Sequence, residues 1–181
     1  TQSDSRLDIT DTNPWTFRDG FKTDLDILWH VQDYTDSPRL SFTGTPINVY
    51  MSDTLHAGAF TLAVGTSYGS GRLLLDVGRC QLNQNSGSFD LTAAGRAEEL
   101  GVVISGNSPF FLEELRARTL SVVHNDAADS YFWVTQRLDA EINHVGNVCY
   151  YGEPGVVEKK NNRPGPVSCF GQGEKIRGRT N

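Results

Sequence analysis

Four histidines, three cysteines, two close carboxylate pairs and a set of C-terminal cations are the residues here that could do chemistry. His30, His56, His124 and His144 are scattered, and none has the close pairing or the His-x-His spacing from which metal sites are built. They read as surface or satisfied core histidines. Asp24 with Asp26, and Asp126 with Asp129, have the proximity that Ca²⁺ ligation or acid–base work requires. The first pair falls on the polar face of an alternating segment and the second in a turn, so both read as solvated surface. Ser67 and Ser70 lie in Gly65-Thr-Ser-Tyr-Gly-Ser-Gly71. That segment lacks the Gly-Lys-Ser/Thr ending of a phosphate loop and the pattern of a nucleophile elbow, and it reads as a hairpin turn. Trp15, Trp29 and Trp133 are candidates for stacking on sugars, although Trp29 belongs to an apolar face. With no catalytic pattern and no metal or cofactor motif, the expectation is a protein that is not an enzyme and carries no cofactor.

Cys80, Cys149 and Cys169 are an odd number without a Cys-x-x-Cys spacing, which predicts free thiols in a reducing compartment. The charge is uneven. From residue 156 onward Lys159, Lys160, Arg163, Lys175, Arg177 and Arg179 face only Glu158 and Glu174, a balance of +4. The total is −6, so residues 1–155 carry −10. An acidic body with a basic tail predicts an anionic partner for the tail, RNA or an acidic protein surface, through those six cations. No run of about 18 apolar residues occurs, so no membrane partner is expected. The polar, acidic start is unlike a signal peptide, and Thr1 in place of Met reads as a processed end.

The elements that must position these groups are strands. Phe21, Thr23, Leu25, Ile27, Trp29 and Val31 alternate with polar residues over 21–31, the period of a half-buried strand. Residues 40–51, 57–66, 72–82, 88–92, 100–105 and 119–124 follow with the same period. Pro46 is expected at an edge or bulge. Residues 93–100 and 108–115 have room for short helical turns; Ser108 would cap and Pro109 would open the second. The segment 130–151 begins as a strand on which Phe132 and Val134 face inward, and it reads as the last structural strand. No internal repeat is visible. About eight strands punctuated by turns, with no alternating helices, predict an all-β antiparallel eight-stranded jelly-roll sandwich. Its organisation is an N-terminal arm over 1–20, a jelly-roll domain over 21–155 and a flexible basic tail over 156–181. Phe21, Leu25, Ile27, Trp29, Phe60, Leu62, Val64, Leu74, Val103, Val122, Phe132 and Val134 form the expected core.

Four segments then read together: Ser105-Gly-Asn-Ser-Pro-Phe-Phe111, Leu120-Ser-Val-Val-His-Asn125, Tyr131-Phe-Trp-Val-Thr-Gln-Arg-Leu-Asp139 and His144-Val-Gly-Asn-Val148. Their order resembles the closing part of the small coat protein of comoviruses and fabaviruses, picorna-like plant viruses. The exit Cys149-Tyr-Tyr-Gly-Glu153 departs from that pattern. The resemblance implies a structural subunit of an icosahedral capsid. It also implies a larger coat protein and further copies of this chain as partners, genomic RNA held through the tail, and a place in the virion after assembly in the host cytoplasm. A carbohydrate-binding, lectin-like β-sandwich is the alternative expectation.

Overall fold

The computed structural model describes residues 6–10, 20–23, 28–30, 37, 39–43, 46–51 and 54–163. Ten strands occupy them. β1 (Arg6–Thr10), β2 (Gly20–Thr23), β3 (Leu28–His30), β4 (Arg39–Thr43) and β5 (Pro46–Met51) are short. β6 (Leu55–Ile104), β7 (Phe110–His124) and β8 (Ser130–Ile142) are long, and β9 (Val148–Tyr151) and β10 (Val156–Asn161) close the described chain. β6 runs for 50 residues, several times the roughly 5–6 of an ordinary strand. It does not run straight. Asp76 meets Arg96, Arg79 meets Glu99 and Thr66 meets Ser86, each pair 20 residues apart. The chain winds, and each winding lies on the one before it.

Pairing between strands shows the same geometry. β4 and β5 pair with β6, β6 with β7, β7 with β8, and β8 with both β9 and β10, all parallel. Among the described residues only β2, with β3 and β5, pairs antiparallel. The fold is therefore a β-solenoid, and the expected antiparallel jelly roll is overturned. Alternation of side chains is common to both architectures, so it could not distinguish them. Parallel pairing requires connections that return the chain to the same end. Here each rung, one full turn of the solenoid, supplies that return. Gly65–Gly71 is accordingly no hairpin: Tyr68 to Arg72 lie in β6, in parallel register with Pro46 to Tyr50. Residues 93–100 and 110–115 are strand and not helical turns, and β8 is followed by two further strands.

The core is built in columns, because an inward residue on one rung sits over an inward residue on the next. Phe60, Cys80, Leu100, Leu120 and Leu138 form one such column, and Leu112, Phe132 and Tyr150 another. Of the expected core, Phe60, Leu62, Val64, Val122, Phe132 and Val134 are buried. Leu74 and Val103 are only half-buried, with Leu74 packed against the edge of the core. Phe21 and Trp29 lie in β2 and β3, whose side chains are outside the description, as are Leu25 and Ile27.

Cys80 fills its place in the first column with no exposed surface, and burial pushes its thiol up to about 12. A thiol there is a small hydrophobe. Its reduced state therefore says nothing about the compartment, contrary to the sequence reading. In a chain carrying Cys149→Ala and Cys169→Ser, Cys80 is expected to stay inert to a disulfide reagent at about pH 8, where an exposed thiol near its ordinary ~8.5 reacts readily. Fast labelling before denaturant is added would contradict this packing.

Corners between sheets are held by specific devices. Gly95 takes a φ of +114°, and a Cβ there would run into the Leu75 backbone one rung earlier. Another corner carries a polar ladder: Asn125 Nδ2 donates to Ser105 Oγ at 3.0 Å, Asn143 Nδ2 to Asn125 Oδ1 at 2.7 Å, and Asn162 Nδ2 to Asn143 Oδ1. Asn125 and Asn143 each both donate and accept, so stacked amides satisfy one another at a bend where regular ladder bonds are interrupted.

Candidate functional site

Outward residues stack in columns as strictly as inward ones. Along one side three columns run side by side down the solenoid. The first holds Arg79, Glu99, Thr119, Arg137 and Val156; the second Gln81, Gly101, Ser121, Asp139 and Glu158; the third Asn83, Val103, Val123, Glu141 and Lys160. Between the first two columns lies a depression of about 360 Å³, lined by Arg79, Gln81, Glu99, Gly101, Ser121 and Asp139 among others. A second, of about 290 Å³, lies between the second and third columns and shares Ser121 and Asp139 with it. The first depression runs over the smallest members of the middle column, Gly101 and Ser121. Gly101 has no side chain, and the Gln81 amide leans over the place where its Cβ would stand.

The charges along the walls are paired. Arg79 Nε donates to Glu99 Oε2 at 3.0 Å. Arg137 grips Asp139 with two bonds, Nε to Oδ2 at 2.7 Å and Nη2 to Oδ1 at 2.8 Å, and reaches Glu158 Oε1 at 2.9 Å on the next rung. Those carboxylates, Asp139 first, hold the guanidinium still more firmly charged than usual. Lys160 Nζ donates to Glu141 Oε1 at 3.2 Å and holds that carboxyl below its ordinary range. Exposed pairs of this kind add little stability. Their consequence is placement: a fork-shaped pair fixes where a charge points. The arrangement offers a partner a flat polar surface with fixed charges and a shallow trough, and it needs no movement to form.

A second outward surface is aromatic. Phe111 and Tyr131 stack with centroids 5.6 Å apart and planes 5° from parallel. Trp133 lies against Tyr151 on the following rung at 6.1 Å, and the Arg116 guanidinium sits 3.5 Å over the ring from the preceding one. Both faces of Trp133 are thus covered. A sugar needs an open ring face, so this residue is a rung-to-rung staple and not the sugar platform considered from sequence.

The other sequence candidates are dispersed. Lys159 and Lys160 lie in β10, and Arg163 follows it, donating to the Val145 carbonyl and to Asn147 Oδ1. Residues 156–161, placed in the tail by sequence, form a strand paired with β8. Lys175, Arg177 and Arg179 lie outside the described residues, as do Asp24, Asp26 and Trp15. The structure does not bring Lys159, Lys160 and Arg163 into one cationic patch, since two of them are committed to Glu141 and to the corner. Ser70 bonds Asn48 Oδ1. His56 is exposed beside Asp76 at 3.3 Å; His124 is buried and His144 exposed. Asp126 is buried and not solvated, and both Asp126 and Asp129 hold backbone N–H groups. Sequence reasoning missed the polar face because neighbours within each column are 18 to 20 residues apart. The available signal was the 20-residue recurrence of opposite charges, Asp76 with Arg96 and Arg79 with Glu99.

A family described as "Putative auto-transporter adhesin, head GIN domain" matches residues 36–154, more than half of the 181-residue chain. No curated protein and no solved structure matches it. The chain belongs to that adhesin head family, a bacterial one. The resemblance to comovirus and fabavirus small coat proteins is thereby overturned, and with it the capsid subunit, the larger coat protein as partner, packaged RNA and the virion as location. The segments that carried it, from Ser105 to Val148, lie on β7, β8 and the corners beside them. The lectin-like sandwich falls with the antiparallel fold.

Proposed function

We propose that this member of the adhesin head family is a non-enzymatic binding module displayed outside a bacterial cell, and that it grips its target with the three-column polar face. The observation that carries this reading is the trough floored by Gly101 and Ser121 between ion-paired walls. Family membership supports adhesion, and the face supplies a surface suited to it. Its charges are fixed before contact, so binding does not have to order long side chains. Steady stacking also lets one surface extend over many rungs, which suits attachment under load. A free thiol such as Cys80 is compatible with an outside location because it is sealed in the core.

The test is adhesion of cells displaying the full chain to protein-coated surfaces. Ser121→Trp, which fills the trough, and the pair Arg137→Ala with Asp139→Ala, which strips one wall, are each expected to lower retention about tenfold or more, equal to ~1.4 kcal/mol of binding. Tyr68→Ser, at an exposed position outside this face, should leave retention unchanged. Equal retention of all variants, with unchanged circular dichroism, would remove the polar face from the reading.

A further inference from the structure

Just inside the C-terminal corners lies a histidine that the polar face does not use. His124 is fully buried, between Ile104 on the preceding rung and Ile142 on the following one. Neither ring nitrogen has a hydrogen-bond partner. The Ala128 backbone lies near but closes no bond of ordinary geometry onto the ring. Three charged groups face the imidazole: Asp126 and Asp129 from its own corner, and Arg163 from the chain after β10. The carboxylates are already engaged. Asp126 accepts from Ser108 N at 3.1 Å and Ala128 N at 2.8 Å, and Asp129 accepts from Asn147 N at 2.8 Å and Asn147 Nδ2 at 2.7 Å. Gly146 N donates to the Asp126 carbonyl at 3.0 Å, and Arg163 clamps Val145 and Asn147. His124 is therefore covered by a corner that the carboxylates and one arginine hold shut.

We propose that His124 makes this corner a proton-operated clasp, closed while the ring is neutral and opened when it is protonated, with release of Arg163 and β10. An imidazolium carries two donors, and in the closed corner neither ring nitrogen has a hydrogen bond of ordinary geometry. Its charge would also stand in a site with no exposed surface. Opening residues 143–147 hydrates the ring, and that movement takes the Val145 and Asn147 acceptors away from Arg163. β10 follows first, because its described pairing is with β8 alone. Burial, the largest influence, pushes the histidine below its ordinary value with a smaller push from Arg163, against Asp126, Asp129 and the Ala128 backbone. The open form binds the proton at the ordinary value of about 6.5, so the closed form is fully favoured above it and loses ground as pH falls below it. Glu158 and Lys160 leave the polar face with β10, which links this corner to that surface; the clasp itself does not depend on what the face binds.

The experiment is nuclear magnetic resonance on the full chain. Amide protection of Val157–Asn161, corrected for intrinsic exchange, is measured at about pH 7.5 and about pH 5 alongside the His124 ring resonance. Protection of β10 is expected to fall about tenfold at the lower pH while Leu120 and Val122 hold. In His124→Ile, which repeats the aliphatic column of Ile104 and Ile142, protection should be equal at both values. In Arg163→Gln it should be low at both. Equal β10 protection in the native chain, or a loss that persists in His124→Ile, overturns the clasp. So does a native His124 ring titrating at or above the free value of ~6.5, a readout that needs no variant to fold.

Discussion

Phe132→Ala is expected to lower the unfolding free energy by about 3–5 kcal/mol. Phe132 has no exposed surface and stacks between Leu112 on the rung before and Tyr150 on the rung after, both buried. A column cannot close over a missing ring, because the backbone spacing on each side is set by parallel hydrogen bonds at about 4.8 Å. The cavity should therefore persist, which places the cost at the upper end for such a truncation. Chemical denaturation followed by circular dichroism measures it. A loss under about 1 kcal/mol would mean that the ring is not held between two rungs.

Gly95→Ala is the second large effect, at about 3 kcal/mol. The residue has a φ of +114°, a region that costs a side chain on the order of 1–3 kcal/mol by itself, and its new Cβ would meet the Leu75 backbone. Backbone cannot rotate out of the way as a flexible side chain can. Gly155→Ala is the matched comparison: the nearest atom to its Cβ would be the Gln136 carbonyl oxygen at 3.9 Å, an ordinary contact. That substitution should be neutral or stabilising by up to ~1 kcal/mol, through the entropy of the unfolded chain. Similar costs at the two positions would contradict the corner assigned to Gly95.

Much of the chain's local structure is legible in its sequence, and its topology is not. Phe60, Leu62 and Val64 alternate with half-buried neighbours, and that period located both strand and core. The direction of pairing leaves no mark on alternation, so Gly65–Gly71 reads as a hairpin from sequence although it lies within β6 in the fold. A rung repeat would have shown the solenoid, but its length varies. Leu120 answers Leu100 at an offset of 20, yet Leu138 answers Leu120 at 18, and Val157 answers Leu138 at 19. β8 also slips against β7 between Leu112 and Arg116 and again between Ala117 and Thr119. No single offset aligns the chain, and the columns tolerate any apolar residue, so Phe60 and Cys80 can share one without looking related. The polar face was hidden for the same reason. Ser121 and Asp139 read as ordinary solvated positions until the winding sets them side by side. His124 gave no warning in its local sequence; only its place between Ile104 and Ile142 marks it as unusual.

Every functional inference rests on residues one rung apart being neighbours along an axis. Paired spin labels on the outward column of Ala59, Arg79, Glu99, Thr119, Arg137 and Val156 measure that directly. With one label at Ala59, the second is moved to Thr119, Arg137 and then Val156. The separation is expected to grow by about 4.8 Å at each step, from roughly 14 Å to roughly 24 Å, since each step adds one rung. Distances that fail to rise in that order, with Val156 no farther from Ala59 than Thr119 is, would contradict the solenoid and the face built on it.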